Sequence, residues 1–131
     1  MERAAEIIRD AKTIAVVGVS SNPDKASNGV AKYLIDQGFT VYLVNPTETD
    51  KQIFERQVYG NVRDLPEPVD IVDIFRRPEQ VDPVIDDAIA ANAKTVWMQL
   101  GIVNEDAAAK AREAGIEVVM DACTKIEHSR R

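Results

Sequence analysis

The sequence predicts an α/β fold in which helices cover both faces of a doubly wound parallel sheet of about five strands. Short apolar segments rich in β-branched residues alternate along the chain with segments whose apolar residues recur at helical spacing. The strand-like segments are continuously apolar, which is typical of strands buried on both faces of a parallel sheet. The 131 residues include no linker, repeat or low-complexity tract, so we expect a single domain over residues 1–131.

The first half of the chain predicts two helices and two strands. A short leading helix is expected from about Glu2 to Asp10, followed by a strand from Thr13 to Val17. The next segment has apolar residues at helical spacing, and Ser27 is expected to cap that helix. Thr40 to Val44 is expected to form the second strand. Residues 47–68 are polar and rich in turn-forming residues, so we expect them to be irregular.

The second half predicts three further strands, at residues 69–75, 94–100 and 116–120. A helical segment beginning near Pro78 separates the first two, and a helix over residues 104–114 separates the last two. Strands that alternate with helices are joined by right-handed crossovers, which place helices on both faces of the sheet. We expect a three-layer, Rossmann-like arrangement with strand order 3-2-1-4-5.

Ligands of such sheets bind outside the carboxyl ends of the strands, beside the point where the strand order reverses. Gly18 follows the first strand there and lets the backbone approach a ligand closely. The helix that follows has free N–H groups that attract an anion. Ser20 stands where a dinucleotide fingerprint has its second glycine. We therefore expect a nucleotide or phosphate site in this corner; the alternative is a plain strand-to-helix turn without a ligand.

The end of the second strand argues against NAD. An NAD site needs an acidic residue at this position to bind the ribose hydroxyls, whereas this chain has Asn45 followed by Pro46. Asn45 either contacts a ligand or simply caps the turn before the proline. Glu48 lies further along the loop, and we expect it to be solvated.

Several cations are expected on the rim of the same site. The third strand ends at Phe75 and is followed by Arg76 and Arg77, so an aromatic ring and two guanidinium groups can bind a base and phosphate groups there. Lys25 and Lys51 are expected on neighbouring loops. Each cation alone is compatible with a solvated surface role, so their joint placement at one sheet edge carries the prediction of an anionic ligand.

The counts of charged and metal-binding residues exclude several classes of protein. A net charge of −6 argues against a general nucleic-acid-binding protein, and no apolar run approaches the roughly 20 residues that span a bilayer. One cysteine and one histidine allow neither an internal disulfide nor a transition-metal centre. The first six residues lack the apolar core of a signal peptide, so we expect a cytoplasmic location.

Catalytic constellations are scarce, and we predict no catalytic residue. The loop after the first strand lacks the last glycine of a nucleophile elbow. Cys123 precedes His128 by five residues, so a Cys–His nucleophile pair is an alternative to a small buried cysteine. His128 lies in a charged tail that we expect to fray.

With these residues in view, the chain resembles the small stand-alone CoA-binding proteins, which are similar to the N-terminal CoA-binding domain of the succinyl-CoA synthetase α subunit. The resemblance covers nearly the whole chain and rests on residues 14–20, 30–34, 44–46, 69–76, 78, 96–102, 123 and 127–128. It implies a Rossmann fold that binds coenzyme A. The order and spacing of these segments, more than any one of them, make the resemblance specific.

The resemblance also implies which residues contact the ligand. Those facing the phosphates would be Gly18, Val19, Ser20 and Lys25. Those lining the adenosine side would be Asn45, Pro46, Phe75, Arg76 and Pro78. Gln99 and Gly101 would approach the pantetheine arm, and Lys51 would replace the basic residue that many relatives carry after Asn-Pro.

We therefore expect a non-catalytic module that binds CoA or acyl-CoA and has a regulatory or carrier role. Three alternatives are open: an oxidoreductase that binds a nicotinamide nucleotide, a CoA-dependent transferase that uses Cys123, and an interaction domain of the same fold that binds no nucleotide. The sequence names no protein partner.

Overall fold

The computed structural model describes residues 2–130, in which five α-helices flank one seven-stranded sheet. In chain order the elements are α1 Glu2–Asp10, β1 Thr13–Val17, α2 Ala26–Asp36, β2 Thr40–Val44, β3 Gln52–Ile53, β4 Arg56–Tyr59, β5 Ile71–Ile74, α3 Val81–Ala90, β6 Thr95–Met98, α4 Glu105–Glu113, β7 Glu117–Val119 and α5 Thr124–Ser129. Short 3₁₀ helices occupy Val62–Asp64 and Pro78–Gln80.

The sheet has the order β3-β4-β2-β1-β5-β6-β7. Neighbouring strands are parallel throughout, except for the antiparallel pair of β3 and β4. The predicted α/β, Rossmann-like class is confirmed. The sheet has seven strands and not about five, and the predicted order 3-2-1-4-5 is wrong, because the predicted third strand, β5, pairs with β1 on the side opposite to β2. The place beyond β2 belongs to β4, within the segment expected to be irregular.

The β3–β4 hairpin escaped prediction because its turn lacks the usual sequence signal. Its two central residues, Phe54 and Glu55, have φ angles of 54° and 61°. Two consecutive positive φ angles in a two-residue loop make a type I′ turn, for which Asn-Gly or Asp-Gly is the common sequence. In β4 itself only Val58 is buried, so the strand has no continuous apolar run.

The two faces of the sheet carry separate apolar cores, which explains the continuously apolar strands. In β1, Ile14 and Val16 pack towards α1, α2 and α5, whereas Ala15 and Val17 pack towards α3 and α4. Trp97 and Met98 of β6 are fully buried. The strand order reverses at β1, so the crevice that receives ligands in such folds lies between the carboxyl ends of β1 and β5.

None of the helices within residues 2–130 is long and apolar enough to cross a lipid bilayer. The same stretch of chain holds no group of three or more His, Cys, Asp or Glu side chains placed to bind a metal ion.

Candidate functional site

The corner at Gly18 is shaped by a close approach between two loops of the protein. Gly18 has a φ of +89°, and a Cβ atom on it would overlap with the carbonyl oxygen of Phe75. The Gly18 N–H donates to the carbonyl of Val44 (2.8 Å), and the Phe75 N–H donates to that of Val17 (2.8 Å). The glycine is therefore required by the protein's own backbone at the point where the strand order reverses.

The first turn of α2 borders this corner. The helix begins after Lys25, whose side chain makes no capping hydrogen bond. Ser27 lies inside the first turn and its hydroxyl accepts from the Ser20 N–H (3.1 Å), so the prediction that Ser27 caps the helix is wrong. Among the described residues, the backbone N–H groups of Ala26 and Ser27 have no hydrogen-bond acceptor. Free amides at a helix N-terminus attract an anion.

A cleft of about 470 Å³ opens over this turn, between the loops that follow β1, β5 and β6. Its lining consists of Gly18, Ser20, Lys25, Ala26, Ser27, Phe75, Arg76, Arg77, Pro78, Gly101 and Ile102. Seven of these residues are among the eleven that were predicted to contact the phosphates, the adenosine or the pantetheine arm. Ala26, Ser27 and Ile102 were missed; the signal for the first two was their position at the start of the helix, where backbone and not side chain offers the donor.

The cleft concentrates positive charge in an acidic protein. Lys25 and Arg76 make no ion pair with any described acidic residue, whereas Arg77 lies 3.5 Å from Glu79. Cations without an acidic partner are available to an anionic ligand, and a guanidinium group binds a phosphate with two parallel hydrogen bonds. The cleft therefore fits a ligand with more than one phosphate group.

A second cavity of about 380 Å³ adjoins the first, and Arg76 belongs to the walls of both. Pro46, Gly60 and Asn61 line it from the side of β2 and β4, and Val84 lines it from α3. Pro46, which was predicted to line the adenosine side of the ligand, therefore lies in the neighbouring cavity and not in the main cleft. Arg76 borders both cavities, so an extended ligand that occupied both would lie against this side chain.

Three other residues that were predicted to contact the ligand line neither cavity. Val19 is fully buried in the core. Asn45 uses both ends of its side-chain amide internally, since Nδ2 donates to the Val19 carbonyl (2.9 Å) and Oδ1 accepts from the Thr47 N–H (3.0 Å). Gln99 is buried beneath the site. These positions shape the loops around the cleft from below.

Glu48 holds the β1–α2 loop in place. Its carboxylate accepts from the Ser21 N–H (2.7 Å) and lies 2.8 Å from Lys51 Nζ. The prediction that Glu48 is solvated is wrong, because the residue is buried. The ion pair with Lys51 and the hydrogen bonds from Ser21 lower the pKa of the Glu48 carboxyl. Lys51, expected to bind a phosphate, is paired with Glu48.

Below the cleft, a buried hydrogen-bonded ring joins three elements. Asp73 of β5 accepts from Gln99 Nε2 (2.6 Å) and from the Thr124 hydroxyl (2.9 Å), and Gln99 Nε2 also lies 3.0 Å from the Thr124 hydroxyl oxygen. No cation faces the carboxyl group in these contacts. Burial raises the pKa of Asp73 to about 7, against the lowering effect of the hydrogen bonds from Gln99 and Thr124.

The cysteine and the histidine near the end of the chain are both packed into the fold. Cys123 is 8% exposed and belongs to the core beneath α1, α2 and α5. His128 lies in α5, not in a frayed tail, and its Nδ1 is 2.7 Å from the hydroxyl oxygen of Tyr33. Its ring also meets the edge of Phe39. This packing gives Cys123 little access to a ligand in the cleft.

Comparison with protein families and curated sequences agrees with this geometry. A family model described as a CoA binding domain matches residues 12–129. The uncharacterized protein YneT of Bacillus subtilis is 39% identical over 124 residues, which cover 95% of this chain and 90% of YneT.

Solved structures show the same fold in two proteins of similar length and in part of a longer one. A hypothetical protein from Pyrococcus horikoshii superimposes with a TM-score of 0.93 at 38% identity, covering 98% of this chain and 89% of its own. A protein from Thermus thermophilus superimposes with a TM-score of 0.92 at 36% identity, and the match covers 98% of this chain and 96% of that protein. An acetyl-coenzyme A synthetase from Candidatus Korarchaeum cryptofilum, in complex with phosphate and ADP, gives 0.71 at 29% identity, with 82% of this chain and 25% of that chain covered.

Proposed function

The chain belongs to the CoA-binding domain family, and from that premise we propose that it binds coenzyme A, free or as a thioester, in the cleft beside Gly18. The observation that carries this proposal is the set of donors on one cleft. It is lined by Ala26 and Ser27, whose backbone N–H groups have no acceptor among the described residues, and by Lys25 and Arg76, which have no acidic partner among the same residues. CoA presents a pyrophosphate and a 3′-phosphate, and this donor set suits such a ligand.

The placement of CoA follows from the positions of these donors. The pyrophosphate is proposed at the first turn of α2, beside Ser20 and Lys25. The adenosine and its 3′-phosphate extend past Arg76 into the second cavity, where Pro46 offers an apolar wall. The pantetheine arm then leaves along Gly101, on the opposite side of the cleft.

A nicotinamide dinucleotide suits this site less well. The position that binds the ribose hydroxyls in NAD sites is Asn45, and its amide is occupied by Val19 and Thr47. The nearest carboxylate in the following loop, Glu48, is engaged by Ser21 and Lys51. The 3′-phosphate of CoA uses the cations that an NAD site does not need.

The role proposed is that of a cytoplasmic, non-catalytic module that carries CoA or reports its level. The low exposure of Cys123 supports this over a transferase that uses the thiol.

Thermal unfolding with added ligands tests the proposal. A ligand that binds only the folded state raises the unfolding temperature, so we expect CoA to raise it and NAD⁺ and NADP⁺ at the same concentration to leave it almost unchanged. The Cys123→Ala variant should give the same shift with CoA. A shift with NADP⁺ but not with CoA would overturn the CoA assignment, and CoA-dependent acyl transfer that is lost in Cys123→Ala would overturn the non-catalytic role.

A further inference from the structure

The loop between β6 and α4 exposes large apolar side chains at the edge of the cleft. Leu100 is 57% exposed and Val103 is 44% exposed. Ile102 lies between them and lines the cleft itself, as does Gly101. Among residues 2–130, the only other large hydrophobic residue with comparable exposure is Ile126, at 40%. We call Leu100, Ile102 and Val103 the apolar rim.

The apolar rim is held in a fixed position. The Gly101 N–H donates to the Asp121 carboxylate (2.8 Å), and the Ile102 N–H donates to the Gln99 carbonyl (2.9 Å). On the far side, Asn104 Nδ2 donates to the Pro78 carbonyl (2.8 Å), which ties the loop to the opposite wall of the cleft. The exposed side chains therefore stand on a braced loop, and they form a preorganised surface.

We propose that the apolar rim is the subsite for the hydrocarbon chain of an acyl-CoA thioester, so that medium-chain and long-chain acyl-CoA bind more tightly than free CoA. This inference rests on the proposed function, because the thiol end of CoA reaches the rim only if the pantetheine arm leaves the cleft along Gly101. The rim begins at that point, since Gly101 and Ile102 belong to the lining of the cleft.

The size of the cleft places the acyl chain outside it. Clefts of roughly 300–1,000 Å³ hold a drug-sized ligand, and CoA is larger than such a ligand. In the proposed placement, the main cleft of about 470 Å³ therefore holds the pyrophosphate and the arm, and the second cavity of about 380 Å³ holds the adenosine. A hydrocarbon chain attached to the sulfur must lie on the surface beyond, where the rim removes it from water.

A protein partner fits the rim less well. A stable interface buries about 800 Å² on each partner, and three side chains do not supply this area. The first turn of α4 beyond the rim is acidic, with Glu105 and Asp106 both exposed. A narrow apolar strip bounded by charge matches a hydrocarbon chain.

Calorimetric titration of the full chain with CoA, acetyl-CoA and octanoyl-CoA tests this subsite. We expect octanoyl-CoA to bind about tenfold more tightly than CoA, because several methylene groups leave water. Acetyl-CoA should bind like CoA. In the double variant Leu100→Ser and Val103→Thr, the ratio of the CoA and octanoyl-CoA dissociation constants should fall to about one. The control variant Ile126→Ser should keep the wild-type ratio.

The outcomes separate this subsite from the proposed function. Equal affinities of the wild-type protein for CoA and octanoyl-CoA would overturn the subsite and leave CoA binding in place. Failure of all three ligands to bind would overturn both. If sedimentation shows that the wild type is a dimer and the double variant a monomer, the rim covers a second copy of the chain and the acyl subsite is wrong.

Discussion

Gly18 packs so closely against the carbonyl oxygen of Phe75 that no Cβ atom fits between them. The contact joins the loop after β1 to the loop after β5, and the cleft opens directly above it. The width of the proposed ligand site is therefore set by one backbone contact. Any side chain at position 18 must push these two loops apart.

The first prediction concerns that contact. We expect Gly18→Ala to lower the free energy of unfolding by about 2–4 kcal/mol, because it adds a steric overlap to the strain of a positive φ angle. It should also weaken CoA binding. Urea-induced unfolding measures the stability change. The control is Gly29→Ala in α2, where a Cβ meets nothing within 4 Å; there we expect stabilisation by about 0.5–1 kcal/mol. Equal effects of the two substitutions would contradict the role given to Gly18.

The second prediction concerns Glu48. Its pKa in the folded protein is lowered by Lys51 and Ser21, so the ionised carboxylate stabilises the fold above the pKa of the unfolded state, near 4.3. That stabilisation is lost as the pH falls through the lower, folded-state pKa. We therefore expect Glu48→Gln to be less stable than the wild type at pH 7 and the difference to shrink at pH 3. The exposed Asp50 in the same loop supplies the control Asp50→Asn, for which the difference should be small at both pH values.

The third prediction contrasts two carboxylates three residues apart. Burial raises the pKa of Asp73 to about 7, so between pH 4 and 7 the folded state holds a proton that the unfolded state has lost. Stability must then fall as the pH rises, by about 1.4 kcal/mol per pH unit. We expect Asp73→Asn to remove this dependence, which unfolding at pH 5, 6 and 7 measures. An unchanged slope in the variant would show that Asp73 does not titrate in this range.

Asp70 is the matched control for that experiment. Burial raises its pKa, but hydrogen bonds from the Lys12 and Thr13 N–H groups and the neighbouring Lys94 outweigh this effect and lower it. Its ionised form therefore stabilises the fold above pH 4, and this contribution is lost in acid. Asp70→Asn should therefore be less stable than the wild type at neutral pH, and this difference should shrink as the pH falls. The difference between the wild type and Asp73→Asn should instead shrink as the pH rises.

The fourth prediction concerns Arg76. If its guanidinium binds the 3′-phosphate, Arg76→Ala should lower the affinity for CoA by about tenfold or more, since a hydrogen bond to a charged group is worth about 1.5–3 kcal/mol. The same substitution should lower the affinity for dephospho-CoA, which lacks that phosphate, by much less. Competition titrations with the two ligands measure the difference. Lys12→Ala, a surface cation at the opposite end of β1, is the control. Equal losses for both ligands would remove Arg76 from the 3′-phosphate.

The main strands and the position of the cleft could be predicted from the sequence because both depend on local patterns. Continuous apolar segments marked β1, β2, β5, β6 and β7, and turn residues marked their carboxyl ends. The hairpin of β3 and β4 could not be found in this way, because its type I′ turn uses Phe54 and Glu55 in place of glycine. Missing β4 led directly to the wrong strand order.

The contacts of individual side chains near the cleft were harder to predict from the sequence than the position of the cleft itself. Asn45 and Gln99 follow strands, as ligand-binding residues do, yet their amides are used inside the protein. The sequence around Glu48 is typical of a surface loop. In the fold, however, its carboxylate accepts a hydrogen bond from Ser21, which lies 27 positions earlier in the chain. Such pairings depend on contacts between loops distant in the chain, which no local pattern encodes.

Calorimetric titration of the wild-type protein with CoA is the most direct test of the central claim that the cleft beside Gly18 is a CoA site. We predict saturable binding of one CoA per chain, with NAD⁺ binding far more weakly under the same conditions. The absence of binding at millimolar CoA, or equal affinity for CoA and NAD⁺, would contradict that claim.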